Sequence, residues 1–150
     1  MKKSMALIVS IFISTALLAQ VENPVKWSFT AKKIADKTYE IHMTANIEPE
    51  WHVYSQTTPE GGPVKTSVDF VRNPLITLQG LVKELGKMEE HFEILFGVQV
   101  KQFSGKVDFV QKIVLKAKVK TSVSGAIKFM TCNDNECLPP STQKFSILLK

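Results

Sequence analysis

The side chains best suited to covalent chemistry are the two cysteines, Cys132 and Cys137. The polar residues 133–136 separate them, and Pro139-Pro140 follows. If the flanking segments pair as strands, the two Cα atoms come within the range of about 4.4 to 6.8 Å that a disulfide requires. Because the chain has no other cysteine, a multi-bridge scaffold and a four-cysteine zinc site are excluded.

Two roles are open to such a pair. In the first, the disulfide is a structural staple, and closing a loop of about six residues would stabilise the fold by only about 2 kcal/mol. In the second, a thiolate of a partner protein attacks one sulfur and forms a mixed disulfide, which the other cysteine resolves. The spacing matches neither the thioredoxin pair nor a zinc knuckle, so spacing alone leaves both roles open.

The first 19 residues predict a secretory signal peptide. Two lysines precede an apolar run from Met5 to Ala19, after which polar residues return. The run is shorter than the roughly twenty residues that cross a bilayer, and Ala19 suits cleavage. A single membrane anchor is the alternative interpretation. We expect loss of residues 1–19, which lowers the formal charge from +5 to +3, and a single exported domain over residues 20–150.

The densest basic stretch contains Lys116, Lys118 and Lys120, which alternate with apolar residues. On a strand this pattern predicts one solvated face and one buried face. Lysine also protects an exposed sheet edge from pairing with other chains. The lysines together with export therefore predict no nucleic-acid partner.

Alternation of apolar and polar residues continues from Val25 to the end of the chain, which is typical of half-buried antiparallel strands. The candidate strands are residues 25–30, 39–47, 51–56, 66–71, 76–85, 98–103, 106–120, 123–131 and 144–149. Turn-forming residues separate them, including Ser104-Gly105. The expected fold is an all-β antiparallel β-sandwich, with a small barrel as the alternative. The expected core residues are Trp27, Phe29, Tyr39, Phe70, Phe109, Phe129, Phe145 and Ile147.

The string Cys-Asn-Asp-Asn-Glu-Cys-Leu-Pro-Pro at residues 132–140 resembles the signature of a known family. This is the amino-terminal periplasmic domain of the thiol:disulfide interchange protein DsbD, also called the disulfide bond corrector family. Further similar segments, which extend the resemblance over residues 21–150, are Asn23-Pro24-Val25-Lys26-Trp27, Trp51-His52-Val53-Tyr54-Ser55, Gly61-Gly62-Pro63 and Leu95-Phe96-Gly97.

The resemblance implies an immunoglobulin-like β-sandwich in the periplasm that acts as a component of protein-disulfide reduction. Its cysteine pair would receive electrons from a thioredoxin-like donor and pass them to oxidised periplasmic thiol oxidoreductases, as in cytochrome c biogenesis. It implies no cofactor and no metal. Because the sequence shows no second apolar run and no third cysteine, we expect a stand-alone domain that depends on a separate electron donor.

The resemblance also implies roles for single residues. Cys137 would form the mixed disulfide with a partner, and Cys132 would resolve it. Leu95, Phe96 and Gly97 match a cap loop that covers the disulfide until a partner displaces it, although a role in the core competes for Leu95 and Phe96.

Four further residues are expected near the cysteines. Tyr54 and His52 match an aromatic pair of the family, although His52 stands where the family has an aromatic residue and Tyr54 could equally be an ordinary sandwich residue. Asp134 and Glu136 would disfavour a neighbouring thiolate, or would simply solvate the loop.

Two other functions compete with disulfide exchange. One is a secreted immunoglobulin-like binding module whose disulfide is purely structural. The other is metal handling by His42, Met43, His52 and His91, but these residues lack the close spacing of a metal site. No arrangement of residues predicts a hydrolase.

Overall fold

A computed structural model describes residues 23–149, in which all regular secondary structure is β-strand. This part of the chain has no helix that is long and apolar enough to cross a membrane. The predicted signal peptide, residues 1–19, lies outside the described residues. The strands are β1 (Val25–Ala35), β2 (Thr38–Ile47), β3 (His52–Tyr54), β4 (Ser67–Phe70), β5 (Ile76–Glu93), β6 (Val98–Leu115), β7 (Thr121–Phe129), β8 (Thr131–Cys132) and β9 (Ser141–Leu149).

The strands form two antiparallel sheets. In the large sheet the order is β1-β2-β6-β3-β8, and β5 pairs with the opposite edge of β6. In the small sheet the order is β4-β7-β9. Alternating apolar side chains of the two sheets bury one another, which confirms the predicted all-β sandwich rather than a barrel.

All eight predicted core residues belong to one apolar cluster between the sheets. Tyr39, Phe109, Phe129 and Phe145 are buried, and the other four are partly buried against them. Two ring contacts join the sheets directly, since the ring centroids of Trp27 and Phe129 are 5.2 Å apart and those of Phe29 and Phe145 are 5.1 Å apart.

The predicted turn at Ser104-Gly105 is wrong, because β6 continues through it. Gly105 has a φ of 70°, which lets the chain bend there without a steric penalty. Before the bend β6 pairs with β3, and after it β6 pairs with β2. Strand β5 follows β6 on both sides of the bend, and so it ends at Glu93 instead of the predicted residue 85.

Strand β6 ends at Leu115, so its predicted continuation to Lys120 is also wrong. The N–H of Leu115 donates to the carbonyl oxygen of Lys37 (2.8 Å), and that of Lys116 donates to Leu75 (2.9 Å). Residues 116–120 then leave the sheet as an irregular connection with exposed side chains. The alternation of residue types therefore overestimates the length of this strand, because a strand ends where backbone hydrogen bonds to a neighbouring strand end.

The strand predicted over residues 123–131 is interrupted at Met130. Strand β7 belongs to the small sheet and β8 to the large sheet, so the chain crosses between the sheets at this residue. The crossing places Cys132 beside β3 instead of at the end of the β7–β9 pair.

Gly125 of β7 should be intolerant of any side chain. A Cβ atom at this position would lie 2.5 Å from the carbonyl oxygen of Asp69 and 2.6 Å from Cζ of Phe145. The Asp69 oxygen belongs to paired backbone and cannot move freely, so we expect Gly125→Ala to lower the free energy of unfolding by roughly 1 to 3 kcal/mol. Urea unfolding measures this change. The neighbouring variant Ser124→Ala removes only a surface hydroxyl and should stay within about 0.5 kcal/mol of the wild type; equal losses in the two variants would contradict the prediction.

Candidate functional site

Cys132 and Cys137 form a disulfide, and their Cα atoms are 4.0 Å apart. The two residues face each other as an antiparallel bridge. One backbone hydrogen bond lies on each side of the bridge, from Asn133 to Glu136 (2.9 Å) and from Leu138 to Thr131 (3.0 Å). The cysteines are thus a non-hydrogen-bonded pair, the pair type in which opposite residues approach most closely.

The polar segment between the cysteines is a two-residue turn at Asp134-Asn135 that the side chain of Asn133 organises. Its Oδ1 atom accepts hydrogen bonds from the N–H groups of Asn135 and Glu136, both at 2.8 Å. This arrangement is an Asx turn, which orders the backbone through a side-chain acceptor. Asn133 was not among the predicted site residues, although asparagine next to a turn was a signal in the sequence.

The two sulfur-bearing residues differ in accessibility. Cys132 is completely buried, whereas Cys137 is half-buried. Both belong to a small apolar cluster, separate from the main core, whose other members are Tyr54, Val98, Val100 and Met130. A reagent that approaches from solvent therefore meets Cys137 first.

Strand β3 places its side chains next to the disulfide because it pairs with both β6 and β8. His52 lies directly opposite Cys132 in the ladder, and the hydroxyl of Thr131 donates to the carbonyl oxygen of His52 (2.9 Å). Directly opposite residues on antiparallel strands have Cβ atoms about 4.5 to 5.5 Å apart. The predicted proximity of His52 to the cysteines is thus a consequence of strand register.

The far end of β3 is anchored by a carboxylate of β5. Glu84 accepts hydrogen bonds from the hydroxyl of Ser55 and from the N–H of Gln56, both at 2.7 Å. The hydroxyl of Thr66 donates to the carbonyl oxygen of Tyr54 (2.5 Å). These bonds fix the loop after β3 against the sheet, so Tyr54 has little freedom to move.

A buried chain of hydrogen bonds joins His52, Tyr54 and Glu93. The Tyr54 hydroxyl donates to a carboxylate oxygen of Glu93 (2.9 Å), and Nε2 of His52 lies 3.0 Å from the same hydroxyl. Because the hydroxyl has one proton and donates it to Glu93, Nε2 must donate to the phenolic oxygen. All three residues are less than one-tenth exposed, and Glu93 was not predicted because nothing in its local sequence links it to residues about forty positions earlier.

Burial shifts the pKa values of His52 and Tyr54 in opposite directions. It lowers the pKa of His52, and the negative charge of Glu93 only partly offsets the effect. Burial, followed by the hydrogen bond to Glu93, raises the pKa of Tyr54 far above its usual range. The contact of 3.9 Å between His52 and Glu93 is therefore a contact between a neutral imidazole and a carboxyl group, not an ion pair.

The predicted cap residues form the turn between β5 and β6. Glu93 holds this turn, since its carbonyl oxygen accepts from the N–H groups of Phe96 (3.2 Å) and Gly97 (2.7 Å). Leu95 is 61% exposed, which places it outside the core, whereas Phe96 is half-buried. A cleft of about 360 Å³ separates the turn from the cysteine loop; its lining residues are His52, His91, Glu93, Ile94, Leu95, Asn133 and Asp134.

The structure thus brings His52, Tyr54, Leu95 and Asp134 to one end of the sandwich with the disulfide. Asp134 and Glu136 are exposed in the cysteine loop. Of the residues considered for metal handling, His52 and His91 line the cleft, whereas Met43 is in the main core and His42 is hydrogen-bonded to Asp108 (2.6 Å). Within residues 23–149 no three His, Cys, Asp or Glu side chains are grouped so that they could hold a metal ion.

Comparisons with known proteins agree with this geometry. A family model described as thiol:disulfide interchange protein DsbD, N-terminal, matches residues 17–149. No curated protein matches the chain.

Two solved structures are similar in fold. The N-terminal periplasmic domain of ScsB from Proteus mirabilis has a TM-score of 0.56 and 17% identity, over 85% of this chain and 47% of that one. The chain thus spans about half the length of that domain. The N-terminal domain of DsbD from Neisseria meningitidis, in its reduced form, has a TM-score of 0.55 and 14% identity, over 83% of this chain and 84% of that one.

Acid should destabilise the protein through His52. In the unfolded chain the imidazole has a pKa near 6.5, and burial lowers this pKa in the folded protein. Below about pH 6.5 the unfolded chain binds a proton that the folded protein does not, so the free energy of unfolding falls as the pH falls toward the lowered pKa. Urea unfolding between about pH 8 and pH 5 should show a shallower decline for His52→Gln than for the wild type. An unchanged slope in His52→Gln would refute the prediction.

Proposed function

The chain belongs to the family of the N-terminal domain of the thiol:disulfide interchange protein DsbD, and we propose that it exchanges electrons with partner proteins through Cys132 and Cys137. The observation that carries the proposal is the difference in burial between the two cysteines: Cys132 is buried, whereas Cys137 is half-buried. Both lie at the end of the domain where the cleft separates the cysteine loop from the turn between β5 and β6. We further propose that the exchange takes place in the periplasm, after export directed by residues 1–19.

The reaction requires two thiolates from an electron donor. The first attacks Sγ of Cys137, the disulfide breaks, and Cys132 leaves as a thiolate that takes up a proton. The second attacks the donor sulfur of the mixed disulfide and releases Cys137. Two electrons have then reached the cysteine pair, and the donor holds a disulfide.

The second half-reaction reverses these roles. Cys137 as a thiolate attacks a disulfide of the acceptor, and Cys132 then attacks Cys137 and releases the acceptor as a dithiol. The half-buried position of Cys137 supports its assignment as the residue that meets partners, and the burial of Cys132 supports its role as the resolving residue. We assign the donor to the thioredoxin-like proteins and the acceptors to oxidised periplasmic thiol oxidoreductases.

The surroundings of the two cysteines favour the neutral thiol over the reactive thiolate. Apolar neighbours bury Cys132, and the carboxylates of Asp134 and Glu136 lie in the same loop. Both influences disfavour a thiolate, so the reduced pair would react slowly with adventitious oxidants. Docking of a partner would then supply the change of environment that starts the exchange.

The turn between β5 and β6 serves in this proposal as a cap. Leu95 lines the cleft beside the cysteine loop. The N–H groups of Phe96 and Gly97 fix the turn by donating to the carbonyl oxygen of Glu93. Since Tyr54 binds the carboxylate of Glu93, the cap is connected to the strand that pairs with Cys132. The cap would limit access of small oxidants and yield to a partner protein.

Single-cysteine variants test the assignment of roles. Cys132→Ser leaves Cys137 able to form a mixed disulfide that cannot be resolved, so we expect it to trap a partner from periplasmic extract as a species sensitive to reductant. Cys137→Ser should trap none. Circular dichroism checks that both variants are folded. Equal trapping by Cys137→Ser would refute the assignment of roles, and no trapping by either folded variant would favour a binding module with a purely structural disulfide.

Removal of the cap side chains should expose the disulfide. We expect Leu95→Ala/Phe96→Ala to be reduced by a small dithiol several-fold faster than the wild type, because access to Cys137 rises while the cysteine turn stays ordered by Asn133. Acid quenching at timed intervals, followed by alkylation of the freed Cys132 and Cys137 and mass spectrometry, gives the rate. Leu81→Ala is a matched control, since Leu81 is 89% exposed on β5 away from the cleft. An unchanged rate in the double variant would remove the cap from the mechanism.

A further inference from the structure

The end of the sandwich opposite the disulfide carries a group of lysines that disulfide exchange does not use. Lys33, Lys37, Lys118 and Lys120 line a shallow cavity of about 280 Å³, and we call this group the lysine end. Strand β6 spans the distance between the two ends, because it starts near the cysteine cluster at Val98 and finishes in this cavity at Leu115. The lysines expected on a strand face therefore lie at a tip of the molecule.

Two connections build the lysine end and are fixed to each other. The turn between β1 and β2 contributes Lys37, whose carbonyl oxygen accepts from the N–H of Leu115 (2.8 Å). The connection after β6 contributes Lys118, whose ammonium group is 3.1 Å from the carboxylate of Asp36. The cationic groups are consequently presented by an ordered surface.

The charge at this end is strongly unbalanced. Among residues 23–149, Asp36 is the only acidic residue that lines the cavity, against four lysines, and it pairs with Lys118. Lys33 is exposed, and its ammonium nitrogen lies over the ring of Tyr39, 5.9 Å from the ring centroid, at the mouth of the cavity. Such a surface attracts anions over about a Debye length.

Two exposed apolar side chains are sequence neighbours of these lysines, and one of them, Val119, also lines the cavity. Ile34 is 42% exposed next to Lys33, and Val119 is 44% exposed between Lys118 and Lys120. A soluble anion or a nucleic acid would gain nothing from them. Two isolated apolar residues are also too few for a protein interface, which buries about 800 Å² on each partner. A lipid headgroup layer accommodates both kinds of side chain, because apolar side chains enter the boundary with the acyl chains and lysines remain with the phosphates.

We propose that the lysine end binds an anionic lipid surface. The four lysines supply attraction to lipid phosphates, and Ile34 and Val119 enter the headgroup region. In this orientation the strands of the large sheet extend away from the bilayer, and the cleft beside the cysteine loop faces the aqueous space, where soluble partners can reach it. The proposal concerns a surface separate from the disulfide and does not depend on exchange activity.

Sedimentation with lipid vesicles tests the proposal. The protein should bind vesicles of phosphatidylglycerol and phosphatidylcholine, should not bind vesicles of phosphatidylcholine alone, and should dissociate at high salt. Replacing Lys33, Lys37, Lys118 and Lys120 with Gln should weaken binding by roughly a hundredfold or more. Replacing Lys65, Lys106, Lys128 and Lys144, which are exposed elsewhere, with Gln changes the net charge equally and should weaken binding only a few-fold.

A second variant separates lipid insertion from simple attraction between charges. Ile34→Ser/Val119→Ser keeps every lysine and should weaken vesicle binding by roughly tenfold, because the apolar contacts with the headgroup region are lost. Absence of binding to the anionic vesicles, an equal loss in the control lysine set, or unchanged binding of Ile34→Ser/Val119→Ser would each overturn the proposal. Absence of vesicle binding would point to an acidic protein or a soluble polyanion as the ligand.

Discussion

The pairing of β3 on both of its edges is the constraint on which the site depends. All three residues of this strand pair with β6 on one side, and His52 and Val53 also pair with β8 on the other, which places His52 opposite Cys132. Because side chains alternate along a strand, the same register puts Val53 into the main core and turns His52 and Tyr54 toward the disulfide. A slip of one residue would exchange these faces, so burial of Val53 in the core also fixes the geometry of the site.

The buried carboxylate of Glu93 connects two parts of the site that are far apart in the chain. Burial of a carboxyl group is costly unless hydrogen bonds compensate it, and Tyr54 supplies one of them. Glu93 also ends β5 and holds the turn that contains Leu95. The position of the cap and the position of the strand beside the cysteines are therefore coupled through one residue, and displacement of either would leave polar groups unsatisfied.

The sequence was sufficient to predict the sandwich, because the period-two alternation reports directly which face of each strand is buried, as for Tyr39 and Phe109. It also predicted the cysteine pair and the residues beside it, through a local motif that resembles a known family. It was insufficient for contacts that form only after the sheets assemble. The ends of β5 and β6 depend on their mutual pairing, and the partnership of Tyr54 with Glu93 depends on β3 and β5 flanking the same strand.

The order that Asn133 imposes on the cysteine turn has a consequence for the durability of the domain. Residues 131–138 are held by a backbone ladder and two side-chain hydrogen bonds, none of which needs the sulfur–sulfur bond. Because the loop between the cysteines is short, breaking the disulfide would add little conformational entropy to the unfolded chain. The free energy of unfolding therefore depends only weakly on this cross-link. We therefore expect the reduced form to keep this turn folded and to offer proteases no newly loosened loop.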